Sequence, residues 1–146
     1  MRATRQISKR KYVIVVGCGN FGSHIANTLS AGRSAVVVID RDARSFELLS
    51  ADFSGFTIEG DAAELAVLET ARTADADLFI SASSRDNLNI FIAQVARVHF
   101  GVADVVARVV EPELGSFYNQ LGIRTVCPTS LSLDHFLKPP SGDRRT

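Results

Sequence analysis

Apolar runs of strand length alternate with stretches of helical period through most of the chain. Tyr12-Val13-Ile14-Val15-Val16 leads into Gly17, which predicts a first strand over residues 12–17. Residues 21–29 follow as a helix whose Phe21, Ile25 and Leu29 recur every four positions on one face. A second strand is expected at 35–40, a short helix at 43–51 and a third strand at 56–59. A helix carrying Leu65 and Leu68 comes next, then a fourth strand at 78–82 and a longer, largely apolar helix at 86–100. The fifth strand is expected at 104–109. Pro112 suits the first turn of a helix holding Leu114, Phe117 and Leu121, and a sixth strand at 124–127 stops at Pro128. Six uninterrupted Val- and Ile-rich strands belong in a sheet covered on both faces. With right-handed crossovers, the pattern predicts an α/β Rossmann-like, doubly wound parallel six-stranded sheet in the order 3-2-1-4-5-6.

Composition narrows the function classes. The chain has 146 residues, 46% of them hydrophobic and 22% charged, and its 16 Lys+Arg balance 16 Asp+Glu. A neutral total argues against a protein built to hold DNA or RNA. The total hides a segregation: Arg2, Arg5, Lys9, Arg10 and Lys11 crowd one end, and Lys138, Arg144 and Arg145 the other. Residues 12–137 therefore carry 8 basic against 15 acidic residues, a body of charge minus seven. The five cations of the first stretch are read as a solvated tail, with an electrostatic contribution at a membrane as the alternative. Apolar runs of about five residues, such as 35–39, fall far short of the roughly 20 that cross a bilayer. No secretory h-region follows the basic start, so the expected location is cytoplasmic. Cys18 and Cys127, with His24, His99 and His135 scattered, offer neither a disulfide framework nor a metal cluster.

The candidate chemistry begins where the first strand meets its helix. Gly17-Cys18-Gly19-Asn20-Phe21-Gly22 is a G-x-G-x-x-G in the strand-to-helix context that gives this pattern meaning. The first glycine permits the turn, the second admits a pyrophosphate and the third lets helix and strand approach. The free N–H groups and dipole of the helix then face an anion. Asp40 ends the second strand 18 residues beyond Gly22, where a carboxylate can accept from both ribose hydroxyls. Its charge disfavours the 2'-phosphate of NADP, an effect tempered by Arg41. Alternatively, Asp40 or Asp42 caps the next helix. Asp61 and Glu64 are spaced as a capping box, while Asp61 and Ala62 also fall beside the same crevice. Ser81-Ala82-Ser83-Ser84 ends the fourth strand across the switch point. Its hydroxyls either meet a phosphate or ribose, or cap the following helix. Cys18 is read as small apolar filler rather than a redox sensor.

These motifs, with 60-Gly-Asp-Ala-62, the Ala74-Asp75-Ala76-Asp77 run, Asn89, Ala107-Arg108-Val109 and Leu121-Gly122 leading to Pro128, resemble the N-terminal RCK domain (TrkA-N type). That domain is the nucleotide-binding module of Trk and Ktr potassium-uptake regulatory subunits and of RCK-gated potassium channels. The resemblance covers residues 12–137, leaving a basic N-terminal tail at 1–11 and a flexible C-terminal tail at 138–146. It implies a non-enzymatic, cytoplasmic nucleotide sensor that forms homodimers or higher rings beneath a membrane potassium channel or transporter. By the same resemblance, Gly17, Gly19, Asn20, Phe21 and Gly22 cradle phosphate. Asp40 stands at the ribose, Asp61 and Ala62 at the adenine, and Ser83 and Arg108 at the far end of the ligand, with Arg41 counted among the cofactor-binding residues. Asn20 stands where Ktr-type members often carry an arginine near the terminal phosphate of ATP, and Thr129 where they often carry a glutamate. NAD(H) is therefore the expected ligand, with AMP or ADP next and ATP after them.

Many members continue into a second lobe, and the present sequence ends before one, which predicts a subunit that works with a separately encoded partner. Leu131, Leu133, Phe136 and Leu137 suggest an amphipathic helix that packs on another subunit or closes this chain's own sheet. Two other functions compete: an NAD-dependent oxidoreductase fragment and an oligomerisation module with a vestigial pocket. The first lacks a Tyr-x-x-x-Lys pair, since Tyr118 is followed four places on by Gly122.

Overall fold

A computed structural model describes residues 9–139. Most of the basic tail expected at 1–11 and of the tail expected at 138–146 lies outside the described residues. Six strands form one parallel sheet in the order β3-β2-β1-β4-β5-β6. They are β1 (Tyr12–Val16), β2 (Ala35–Asp40), β3 (Phe56–Glu59), β4 (Leu78–Ser81), β5 (Val105–Arg108) and β6 (Arg124–Val126). The expected topology is the observed one.

Strand alternation divides the core in two. Ile14, Val16, Val37, Ile39 and Phe79 point to one face, where Leu68 of helix α2 (Leu65–Thr70) and Ile92 and Ala93 of α3 (Asp86–Gln94) cover them. Val13, Val15, Val36 and Val38 point to the other, beneath Ala26, Ile25 and Leu29 of α1 (Asn20–Ala31). Phe79 is fully buried at the centre of the sheet, so truncating it to Ala costs ~3–5 kcal/mol.

Several elements differ from their predicted form for local reasons. The helix expected at 43–51 is a 3-10 helix, Ala43–Leu48, because the Asn27 side chain of α1 takes the Ser50 N–H that a longer helix would need. The helix expected at 86–100 is α3 followed by a π-helical turn, Val95–His99, marked by the bond from Phe100 N–H to the Val95 carbonyl. Pro128 does more than stop β6: it opens α5 (Pro128–Leu137) from its first turn. In α4 (Pro112–Asn119) the inward pair is Leu114 and Tyr118, and Phe117 and Leu121 are exposed.

On the α1 side, cover is incomplete. Phe21, Ile25, Leu78, Ile80, Val106 and Val126 line an apolar groove over β4, β5 and β6. No residue of α5 lines it, and none of α5 is buried, so the closing role considered for Leu131, Leu133, Phe136 and Leu137 is not what this chain does with them.

Candidate functional site

All six strands run the same way, so their C-terminal ends share one edge of the sheet, and the order reverses between β1 and β4. A crevice opens at that reversal, as doubly wound sheets require. Its entrance is the loop from β1 to α1. Gly17 has φ +96°, and a Cβ there would lie 2.9 Å from the Ser83 nitrogen. A Cβ on Gly22 would lie 1.8 Å from the Gly17 carbonyl oxygen, so α1 starts this close to β1 only with glycine there. Gly19 differs. Its φ of −76° suits any residue and a Cβ would meet nothing within 4 Å. Nothing in the protein itself requires a glycine at that position, whereas an approaching ligand would.

α1 begins at Asn20 with no side-chain cap and no acidic residue in its first turn. Its first N–H groups thus lack intrahelical partners and present partial positive charge. Asp40 sets the loop's position: one carboxylate oxygen accepts from Cys18 N–H at 2.8 Å and the other from Asp42 N–H at 2.8 Å. Each oxygen keeps a lone pair. Capping of the 3-10 helix falls to Asp42, which accepts from Arg44 N–H and pairs with its guanidinium at 2.8 Å. This hydrogen bonding by Arg44 holds the Asp42 carboxyl below its usual range. Cys18 is buried, and burial, reinforced by the Asp40 charge, pushes its thiol up to about 11. It is protonated filler.

Two adjoining cavities of about 170 and 370 Å³ make up the crevice, sharing Gly17, Asp40 and Ser83. Together they fall in the range of about 300–1,000 Å³ typical of small-molecule sites. Asp40, Arg41, Asp61 and Ala62 line the first, and Gly19, Asn20, Phe21 and Arg108 the second. The structure thus brings together all of the expected residues except Gly22, whose part is the packing just described. The arginine is the notable member. Its guanidinium stands 4.8 Å above the Phe21 ring, and its buried Nε has no hydrogen-bond partner in the protein. Such a cation is costly unless something anionic or accepting meets it.

Geometry of this kind on this topology invites comparison with known proteins, and a family model for the TrkA-N domain matches residues 13–129. The chain belongs to the TrkA-N domain family. It is 38% identical over 133 residues to the Trk system potassium uptake protein TrkA of Streptomyces coelicolor, covering 90% of this chain and 60% of that protein. The chain thus spans less than two thirds of that relative's length. Among solved structures, the Kef CTD of Shewanella denitrificans in its AMP-bound form superposes with a TM-score of 0.74 at 26% identity. The match covers 86% of this chain and 77% of that one. The GsuK channel bound to NAD shares the fold, with a TM-score of 0.69 at 22% identity over 90% of this chain and 24% of the channel.

Within this TrkA-N domain two expectations need correction. Asp61 and Glu64 form no capping box. Asp61 instead accepts from Ala63 N–H at 2.9 Å in a tight turn, and α2 starts after Glu64 without a side-chain cap. The nearer backbone donor wins because Asp reaches two residues ahead more readily than three. Nor do Ser83 and Ser84 cap α3, whose N-cap is Arg85. The Ser83 hydroxyl accepts from Arg85 N–H and gives its single proton to Asn89 Oδ1 at 2.6 Å, leaving none for a phosphate in this arrangement. Arg85, Leu88 and Ser45 also line the cavities without having been singled out in the sequence. Position just past a strand's C-terminal end was their only signal. Arg41, Arg85 and Arg108, three of the eight body arginines, thus converge on one crevice. None of the three histidines lines either cavity, and the Tyr12 hydroxyl donates to the Ala71 carbonyl instead.

Proposed function

We propose that residues 12–137 form a nucleotide-sensing regulatory domain of a potassium transporter or channel, binding NAD(H) in the crevice, with AMP, ADP and ATP as further ligands. The observation that carries the reading is the meeting of three features in one cavity. These are the uncapped start of α1, the open space at Gly19 and the partnerless Nε of Arg108. The N–H groups and the guanidinium need acceptors, the space at Gly19 admits one, and a nucleotide phosphate supplies several. The glycine loop and α1 hold the phosphates, Asp40 and Arg41 the ribose, Asp61 and Ala62 the adenine, and Arg108 with Ser83 the distal half. The AMP-bound Kef CTD supports an adenine nucleotide as the ligand class.

The reading is of a sensor rather than an enzyme. It places the domain at the cytoplasmic face of a membrane, held there by a potassium channel or transporter subunit, with homodimer or ring assembly carrying the signal. Among the described residues no helix is long and apolar enough to cross a membrane itself. Sensing requires two conformations that the ligand binds unequally. A thermal-shift panel of NAD, NADH, NADP, AMP, ADP and ATP tests the binding claim. A ligand at about 100 times its Kd adds ~2.7 kcal/mol, several degrees of Tm for a domain of this size. Absence of a shift with every member would sink the proposal.

A further inference from the structure

Where β4 and β5 part to open the crevice, one buried side chain takes over from the sheet. The strands pair Phe79 with Val105, Ile80 with Val106 and Ser81 with Ala107, and then diverge. Asn89, fully buried on α3, spans the gap. Its Oδ1 accepts from Ser83 N–H at 3.0 Å and from the Ser83 hydroxyl at 2.6 Å. Its Nδ2 donates to the Ser83 carbonyl at 2.8 Å and to the Arg108 carbonyl at 3.0 Å. Both amide hydrogens and the amide oxygen are used, in the manner of one more peptide unit inserted between the strands. Asp86, one turn earlier, accepts from Val110 and Glu111 N–H at 2.7 and 3.0 Å and ties the following loop to the same helix.

We propose that Asn89 is a positioning residue that sets the spacing between Ser83 and Arg108 and so the distal half of the nucleotide crevice. The assignment rests on the functional reading above. Asn89 lines neither cavity and acts through its neighbours. Without its amide, the Arg108 carbonyl loses its tie to Ser83 and α3, and the Arg108 backbone is positioned from the β6 side alone, through its pairing with Val126. A dinucleotide that extends to Arg108 needs that spacing. A mononucleotide held by the glycine loop, Asp40 and Asp61 needs it much less.

The test compares NAD and AMP affinities of the full chain by calorimetric titration. Asn89→Ala should lower the NAD-to-AMP affinity ratio about tenfold, equivalent to ~1.4 kcal/mol. Asn89→Leu, which keeps the side-chain volume, adds no charge and loses both donors, carries the same expectation should the alanine variant not fold. Val36→Ala, a core truncation at the N-terminal end of β2 and so at the opposite edge of the sheet from the crevice, should lower Tm and leave the ratio unchanged. In a cycle with Arg108→Lys, the two losses should be non-additive, because Asn89 acts through Arg108. Equal weakening of both ligands, or an unchanged ratio, would overturn the assignment. Wild-type binding of AMP without NAD would overturn it too while leaving nucleotide binding intact. Binding of neither nucleotide would overturn the functional reading itself.

Discussion

Asp40 does two jobs with one carboxylate. It fixes the glycine loop through Cys18 N–H and keeps lone pairs for a ribose. Asp40→Ala should therefore abolish nucleotide-dependent stabilisation and also lower basal stability by ~1–3 kcal/mol, since the buried Cys18 N–H loses its acceptor. Cys18 itself is held protonated, its thiol pushed up to about 11 from an ordinary 9.0. Because its folded value is raised, the contribution is fully present below pH 9 and is lost as the pH rises through about 11. Cys18→Ala should flatten that part of the alkaline stability curve. Alkylation at pH 8 should label Cys127, which is partly exposed, well before Cys18. Equal labelling would contradict the burial argument. Residue identity and spacing together made Asp40 and the glycines legible. The role of Asn89 was not legible, because its main partners are backbone and hydroxyl groups at Ser83 and the backbone at Arg108, six and nineteen residues away.

At the scale of elements, β1, β2, β4 and β5 were legible because a parallel strand buried on both faces has to be continuously apolar, whereas the edge strands β3 and β6 hold no buried residue. The ends of elements were harder to read. Gly17 closes β1 through a positive φ, Asn27 halts the 3-10 helix, and a hydrogen bond from Phe100 N–H to the carbonyl five residues back turns the end of α3 into a π turn. These are tertiary or backbone effects with little sequence signature. The loop before α1 allows its packing and ligand roles to be separated. Gly22→Ala forces a Cβ onto the Gly17 carbonyl and should destabilise the domain by ~1–3 kcal/mol or more. Gly19→Ala meets open space and should change stability by no more than about 1 kcal/mol. Nucleotide affinity should nevertheless fall about tenfold or more, equivalent to ~1.4 kcal/mol. Chemical denaturation and ligand titration of both variants separate the two roles, and full affinity in Gly19→Ala would refute the second.

For the whole molecule, an acidic body gathers three arginines at one crevice and leaves apolar surface unmatched, at Phe56, at Phe91 with Val98, and at two further stretches. One is the groove over β4, β5 and β6; the other is α5, with Leu131, Leu133, Phe136 and Leu137 exposed. Apolar surface of this kind favours association, and a second copy offers each surface the other. Light scattering should find a dimer or larger assembly, and Phe136→Glu with Leu137→Glu should shift it to monomer without lowering Tm. A monomeric wild type would count against assembly through α5. The central claim is that the crevice holds a nucleotide. Calorimetric titration of the wild-type chain with NAD and AMP measures this directly. The expected result is saturable binding at one site per chain, lost in Asp40→Ala, whereas titrations that stay flat for both ligands would contradict it.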